Sequence, residues 1–516
     1  MSERIAIIDL GSNSARLIIM KISKSGAYHL IYNQKEGVRL SEGLQQTNRL
    51  QPEAMQRALD TLYSFAHMCS LHKVTTTIAV ATAAIRNAVN GQEFMLSIAR
   101  KTNLSIRVIS GEQEAHLGFV GAINTLNIHN AILFDLGGAS TEITLIRNKI
   151  AAHRISLPIG AVNLTEKFEL QDANADKIKL AKAYFHAELS KLDWLNDIKK
   201  DRFPLIGIGG TARNIAKMDQ RQKNYPYPKI HNYVLTTTNF ESLWKTISSA
   251  DLSTRAQIPG LSTGRADIIV SGATIMKCLF EKTNAQRLII SACGIREGLF
   301  CEYYLSKYED APALVAHNIT VRCAQNLLKY CGSDEQHATR VSEFALSIFD
   351  GLFSLHRLDD GYRRVLKVAA ILHDIGISIN YHDHPRHGAY LIENATLFGF
   401  SHREQLQTAA VVGLHGGYNV KFRRIRVYAD FFRGDDCRGI YRLGFFLALA
   451  ESLDVDQLGD IEKLRIQVFP EYIQITCRTN EPTAHGVREA MRLNYWCKRE
   501  FGRSLLIVQE QIPTEV

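Results

Sequence analysis

The sequence predicts an α/β protein built on a duplicated unit with a cleft between the copies, followed by an all-α region and a small α+β module. Three observations predict this. The segment "IDLGSNSARLII" at 8–19 is repeated in outline by "FDLGGASTEITL" at 134–145, with Asp9 over Asp135, Gly11 over Gly137 and Ser14 over Ser140. Strand and helix patterns alternate as far as about residue 305, and amphipathic helices dominate from about 310 to 460. A motif repeated at the start of two successive α/β stretches marks a duplication, and the seam between two such copies is a common place for a ligand cleft.

The elements follow in order. "AIIDL" and "ARLII" read as two hydrophobic strands around a polar turn, and "LQPEAMQRALDTLYSFAHMCSLH" has Met55, Leu59, Leu62, Phe65 and Ala66 at helical spacing. "TTTIAVATAAIR" reads as a strand leading into a loop, "IRVIS" as a strand, and "SGEQEAHLGF" as the opening of a helix. The second copy runs on through "PLIGIGGTARNIA" and "RLIISACGIREGLF". Helices are then expected at "HATRVSEFALSIFDGLFSL", "GYRRVLKVAAILHDIGISI" and "RLGFFLALAESLDVD". "LRIQVF" and "YIQITC" alternate like paired strands, ahead of a helical "AHGVREAMRLNYWCKREFG" and a last apolar run, "SLLIVQ". The expected domains are 1–125, 126–305, 306–460 and 461–516.

A chain of 516 residues exceeds what one core usually supports, and 46% hydrophobic with 22% charged residues is the balance of an ordinary globular protein. Met1-Ser2-Glu3-Arg4 passes directly into the first strand and no apolar run reaches ~18 residues, so neither a signal peptide nor a membrane span is expected. The nine cysteines form no C-x-x-C pair, which points to reduced thiols in a cytoplasmic protein. A net charge of +9 favours anionic partners; the densest basic stretch, "KFRRIR" at 421–426, reads first as a solvated face.

A glycine turn between strands exposes successive N–H groups, and Ser or Asn side chains add donors, which together make a nest for phosphate oxygens. Gly11, Ser12, Asn13 and Ser14 form one such turn, Gly137, Gly138 and Ser140 another, and "GIGGT" with Gly209, Gly210 and Thr211 a third glycine loop. Asp9 and Asp135, at the strand ends, suit a hydrated divalent cation. G-x-G-x-x-G and G-x-x-x-x-G-K-[ST] are both absent from these turns, which disfavours nicotinamide enzymes and P-loop NTPases. Ser110 and Gln113 have capping-box spacing, placing Glu114 in the first turn of a helix, where the dipole favours an ionised carboxylate. In "GGASTE", Ser140 and Glu142 share one face of an extended chain and Thr141 takes the other.

"DLGSNS", "ATAAIR", "SGEQEAHLGF", "DLGGASTE", "GIGGTAR", "PGLSTGRADIIVSG" and "GIREGL", in this order over roughly 4–305, resemble the exopolyphosphatase / guanosine pentaphosphate phosphohydrolase (Ppx/GppA) family. That family is a branch of the actin-like ATPase and sugar-kinase fold, of ribonuclease H-like type. The resemblance implies Glu114 as the base that activates water, with Asp135 and Glu142 also catalytic. It further implies Mg2+ held by Asp9, Asp135 and Glu142, and a monovalent cation such as K+. Phosphate would be met by the three glycine loops, Ser140, Thr141, Arg86 and Arg265, guanidinium forks being suited to phosphate oxygens. The family usually has a third glycine where this chain has Ala139, a methyl that would crowd the backbone approach to phosphate.

"ILHDIGISIN" resembles the HD-type domain of long family members. His337, His373 and Asp374 fit its H…HD ligand pattern, with Glu451 in "AESLD" where an aspartate is usual and Asp454 nearby. His382, His384, His387 and His415 enrich the same region; the alternative is histidines hydrogen-bonded within a helical core.

The activity implied is Mg-dependent, processive removal of terminal phosphate from inorganic polyphosphate by a cytoplasmic homodimer, with no nucleic-acid partner and no integral membrane association. Three rivals stay open: hydrolysis of the 5′ γ-phosphate of guanosine pentaphosphate (pppGpp), a non-catalytic polyphosphate or alarmone sensor, and an HD-like domain that is itself the working enzyme.

Overall fold

The computed structural model describes residues 2–308, 318–416, 427–428, 431–432, 434–479 and 484–511. The basic segment 421–426 lies outside the described residues. The chain divides into two compact units, Met1–His317 and Asn318–Val516.

The first unit holds two sheets. One contains β1 (Glu3–Leu10), β2 (Ser14–Ile22), β3 (Tyr28–Gly37), β4 (Thr76–Ala81) and β5 (Ile106–Val108), in the order β3-β2-β1-β4-β5. The other contains β6 (Ala131–Leu136), β7 (Thr141–Arg147), β8 (Ile150–Leu157), β9 (Leu205–Gly209), β10 (Val234–Thr236) and β11 (Arg287–Ile290), in the order β10-β11-β9-β6-β7-β8. The duplication holds residue by residue. Asp9 lies opposite Arg16 on β2 and beside Val80 of the parallel strand β4, while Asp135 lies opposite Glu142 on β7 and beside Ile208 of the parallel strand β9.

Near-continuous apolar runs produce these strands because both faces of each sheet are covered. On β1, Ala6, Ile8 and Leu10 enter one core while Ile5 and Ile7 enter another. On β6, Ile132, Phe134 and Leu136 point into one core and Ala131 and Leu133 into the opposite one.

Two helices position the site. The expected helix after "IRVIS" runs Gly111–Ile123, and its capping box is complete: Ser110 Oγ accepts from Gln113 N at 3.1 Å while Gln113 Oε1 accepts from Ser110 N at 3.0 Å. This helix packs unusually close to the helix Ile295–Tyr308, since a Cβ on Gly298 would stand 2.1 Å from the Leu117 carbonyl oxygen and one on Gly121 would stand 2.4 Å from that of Gly294. The segment after β4 is a short helix, Ala83–Asn87, rather than the expected loop. Thr82 is extended and its carbonyl accepts from Arg86 N, so the chain turns into a helix as soon as the strand ends.

In the second unit the helices Ile319–Cys331, Glu335–Gly351, Asp360–Leu372, His384–Asn394, His402–Leu414 and Asp436–Leu453 precede a three-stranded sheet. In that sheet β12 (Ile461–Val468) is antiparallel to β13 (Tyr472–Thr479), and β13 is parallel to β14 (Ser504–Gln511). Phe445, Phe446 and Trp496 share one core with Ile475 and Leu505 of the sheet. No helix among the described residues is long and apolar enough to cross a membrane.

Candidate active site

Each hairpin turn is closed by the same hydrogen bond. Gly11 N donates to Ser14 O at 3.2 Å, and Gly137 N donates to Ser140 O at 3.0 Å. The two turns face each other: a Cβ on Gly138 would lie 3.4 Å from Ser12 Cβ and 3.6 Å from Asn13 Cβ. Between them is a cavity of about 100 Å³ lined by both turns, Asp9, Glu114, Asp135, Gly209, Gly210 and Arg265. The sequence repeat and the first-turn glutamate therefore converge on one space.

Asp9, Glu114, Asp135 and Glu297 line this cavity, and Glu142 stands opposite Asp135 on the hairpin without lining it. Burial raises the pKa of Asp9, Glu114, Asp135 and Glu142 above the ordinary carboxylate range. Repulsion from Glu142, Asp135 and Asp9 adds to the rise at Glu114, and Asp9 helps push Asp135 to about 6. Arg86 Nη1 opposes this at Glu114, standing 3.3 Å from its Oε2. Glu142 is held by Ser156 Oγ, which donates to its Oε1 at 2.7 Å.

Such a cluster takes up protons or a cation. Asp9 Oδ1 is buried and accepts no hydrogen bond, and the donors here are all hard oxygens, the set that suits Mg2+. Asp9 fits the ion by that test, and Asp135 and Glu142 fit it by the chemistry of their oxygens.

On the other side of the cavity the charge reverses. A second cavity of about 700 Å³ is lined by Arg16, Lys35, Arg213, Lys217, Arg221, Arg265 and Arg296, with no carboxylate among its lining residues. Arg16, Arg213, Arg265 and Arg296 line both spaces. Burial, reinforced by neighbouring cations, lowers Arg16 and Arg265 to about 10 and Lys35 to about 8. Cations held this close favour a multiply charged anion among them.

Three expected phosphate ligands lie elsewhere. Thr141 is fully buried and its hydroxyl donates to Ile159 O at 2.6 Å, because the strand alternation turns it away from Ser140. Thr211 is also fully buried, packed where a Cβ on Gly272 would meet its Oγ1 at 2.5 Å. Arg86 is engaged with Glu114 and with Ile109 O, at 2.8 Å, and does not line the cavity. Ala139 is 5% exposed and its carbonyl accepts from Asn163 Nδ2, so its methyl does not face the phosphate turn's cavity.

Sequence pattern did not single out several residues that line the cavities or touch Glu142: Arg16, Lys35, Arg213, Arg296, Ser156 and Glu297, whose Oε2 accepts from Gly294 N at 2.8 Å. A signal was present for Arg16, a cation at the place corresponding to Glu142 in the repeat. Arg296 and Glu297 sit within the quoted "GIREGL".

The sequence pattern of the Ppx/GppA phosphatase family matches residues 18–307, and that of Ppx/GppA phosphatase, domain III, matches residues 319–480. The chain belongs to the Ppx/GppA phosphatase family. As a Ppx/GppA protein it is a phosphoanhydride hydrolase. It is 30% identical over 420 residues to a guanosine-5′-triphosphate,3′-diphosphate pyrophosphatase of Aeromonas salmonicida, covering 79% of each chain. A Ppx/GppA family member of Aquifex aeolicus superposes with a TM-score of 0.50 at 30% identity, covering 60% of this chain and 99% of that one. An exopolyphosphatase of Cytophaga hutchinsonii superposes with a TM-score of 0.55 at 26% identity, covering 61% and 100%.

In the second unit of this Ppx/GppA chain, the expected ligands His337, His373, Asp374 and Glu451 do not form one group. His337, His373 and Asp374 cluster together, whereas Glu451 joins Asp374 in a second cluster with His384 and His415. Asp454 binds His337 Nδ1 at 2.7 Å and is clamped by Arg340 Nε. His382 and His387 belong to neither cluster.

Proposed function

We propose that this protein is an Mg-dependent exopolyphosphatase that removes terminal orthophosphate from inorganic polyphosphate. The observation that carries the reading is the polarity of the cleft: four carboxylates at one end, and a cavity walled by seven cations opening from it. A polyanion threads such a gradient with its tail among the cations and its terminal phosphate at the turns.

Mg2+, when bound by Asp9, Asp135 and Glu142, supplies charge neutralisation on the transferring phosphoryl group. The N–H groups and hydroxyls of the two turns hold the terminal phosphate, and Arg265 lies where the next phosphates pass. Glu114 takes a proton from water as its oxygen attacks the terminal phosphorus in line. The bond to the bridging oxygen breaks, releasing orthophosphate and a chain one unit shorter. Arg86 favours the ionised form of Glu114 against burial and the neighbouring carboxylates, and points it. Many weak contacts along the cation wall, rather than one tight one, suit processive digestion.

A second reading is pppGpp hydrolysis. It is favoured by the name borne by the Aeromonas salmonicida relative and by Tyr225, Pro228, Ile230 and Leu261, an apolar stretch of the larger cavity against which a base could stack. The deciding experiment is phosphate release from long polyphosphate and from pppGpp in competition, with Mg2+ and with chelator. Turnover of pppGpp alone would overturn the polyphosphate reading. Binding of either without turnover, unaffected by Glu114→Gln, would make the protein a sensor. The reading also includes K+ as activator, a cytoplasmic homodimer, an HD-like second unit and the domain limits 1–125, 126–305, 306–460 and 461–516; size-exclusion chromatography with light scattering tests the dimer.

A further inference from the structure

The two histidine clusters of the second unit share Asp374 and leave the same atoms facing one another. His373 Nδ1 donates to Ala370 O at 2.8 Å, His415 Nδ1 to Val412 O at 2.5 Å, and His384 Nδ1 to Tyr381 O at 3.0 Å, each a carbonyl three residues back. His337 Nδ1 donates to Asp454 Oδ2 at 2.7 Å. Every one of the four rings therefore spends its Nδ1 proton outward, and in the neutral form its Nε2 carries only a lone pair.

Those lone pairs point at each other. His337 Nε2 and His373 Nε2 are 3.2 Å apart, and so are His384 Nε2 and His415 Nε2. Two unprotonated nitrogens at that distance repel unless a cation lies between them. Two nitrogens bound to one ion at about 2.1 Å, with a ligand angle of about 90–110°, stand about 3.0–3.4 Å apart. Asp374 completes both sets. Its Oδ2 is 3.6 Å from His337 Nε2 and 3.5 Å from His373 Nε2, and its Oδ1 is 3.3 Å from His384 Nε2. Glu451 Oε2 adds a further oxygen 3.5 Å from His415 Nε2.

We infer that the second unit holds a pair of divalent transition-metal ions bridged by Asp374, one on His337 and His373, the other on His384, His415 and Glu451. Four imidazoles select Mn2+, Fe2+, Co2+ or Zn2+ over Mg2+, which prefers oxygen. Anchoring of each outer nitrogen to a carbonyl or carboxylate is the arrangement that orients metal-binding imidazoles. Glu451, not Asp454, supplies the late carboxylate, because Arg340 and His337 Nδ1 already occupy both Asp454 oxygens. The site has an inner and an outer side: the side chains of His373, His415 and His337 are 0%, 1% and 4% exposed, against 15%, 18% and 25% for Asp374, His384 and Glu451. The outer side is where water or an oxyanion reaches the ions.

The test is metal content of the full chain, stripped with chelator, incubated with excess CoCl2 or MnCl2, desalted and analysed by mass spectrometry, with Co2+ visible absorption as a second readout. Two equivalents per chain are expected, falling to one in His373→Ala and in His415→Ala, and below one in Asp374→Ala. Glu451→Gln, a near-isosteric change at the outer side of the site, should weaken retention of one ion at least tenfold while circular dichroism stays unchanged. Retention of less than one equivalent by the wild type, or retention unaltered by His373→Ala, His415→Ala and Glu451→Gln, would overturn the inference and leave a protonated imidazole pair in each place.

Discussion

Arg86 Nη1 stands 3.3 Å from Glu114 Oε2 and donates also to the Ile109 carbonyl at 2.8 Å. In the proposed mechanism this pairing makes Arg86 a positioning residue for Glu114. It also holds down a pKa that burial and Glu142 drive upward. A general base works only when ionised, so if Glu114 has that proposed role, activity is expected to rise with pH through that pKa.

Removing the guanidinium should therefore move the activity profile to higher pH. Arg86→Ala is expected to lower kcat roughly 10–100-fold near neutrality and to recover part of it in alkaline buffer, with Arg86→Lys intermediate. Glu114→Gln should cost about 10²–10⁴-fold in kcat and leave KM for polyphosphate near its original value. Initial rates across a pH series check both.

The acidic cluster sets a second pH dependence. Asp135 rises from 3.8 to about 6 on folding, so its favourable contribution is complete below about pH 4 and is lost as pH rises through about 6. In chelator, Asp135→Asn should gain stability relative to wild type on going from about pH 4.5 to about pH 7.5, by at most about 3 kcal/mol, read as a rise in its Tm above that of wild type. Mg2+ should remove that advantage, because the ion replaces the proton. Differential scanning fluorimetry with and without Mg2+ measures it.

Lys217 and Arg221 line the large cavity but not the small one between the turns. Lys217→Ala and Arg221→Ala should raise KM for long polyphosphate several-fold, leave kcat for a short chain nearly unchanged and flatten the fall of kcat/KM with salt. An equal loss on short and long chains would place the substrate path elsewhere.

The helix carrying Glu114 owes its position to glycines. A Cβ at residue 298 would stand 2.1 Å from the Leu117 carbonyl oxygen, so Gly298→Ala must displace one helix from the other. A loss of about 1–3 kcal/mol in stability is expected. A fall in kcat should accompany it without a matching rise in KM, as follows from misplacing the base by even about 1 Å. Urea unfolding together with steady-state kinetics tests the pair of effects.

Local pattern determined much of this protein. Apolar runs, turn chemistry and the Ser110–Gln113 capping box act within a few residues, so the two aspartate-glycine hairpins, the helix bearing Glu114 and the switch to helices after about 310 were legible before any coordinates. Tertiary structure alone decided which of these groups meet. Strand register set Glu142 opposite Asp135 but Arg16 opposite Asp9, giving one hairpin a second carboxylate and the other a cation. Packing drew Arg86 to Glu114, buried Thr141 and Thr211 away from the cleft, and joined Glu451 to His384 and His415 rather than to His337. Such pairings join residues from 28 to 67 positions apart, as Arg86–Glu114 and His384–Glu451 do, and spacing carries no information about them because they depend on how whole faces of helices and sheets fit together.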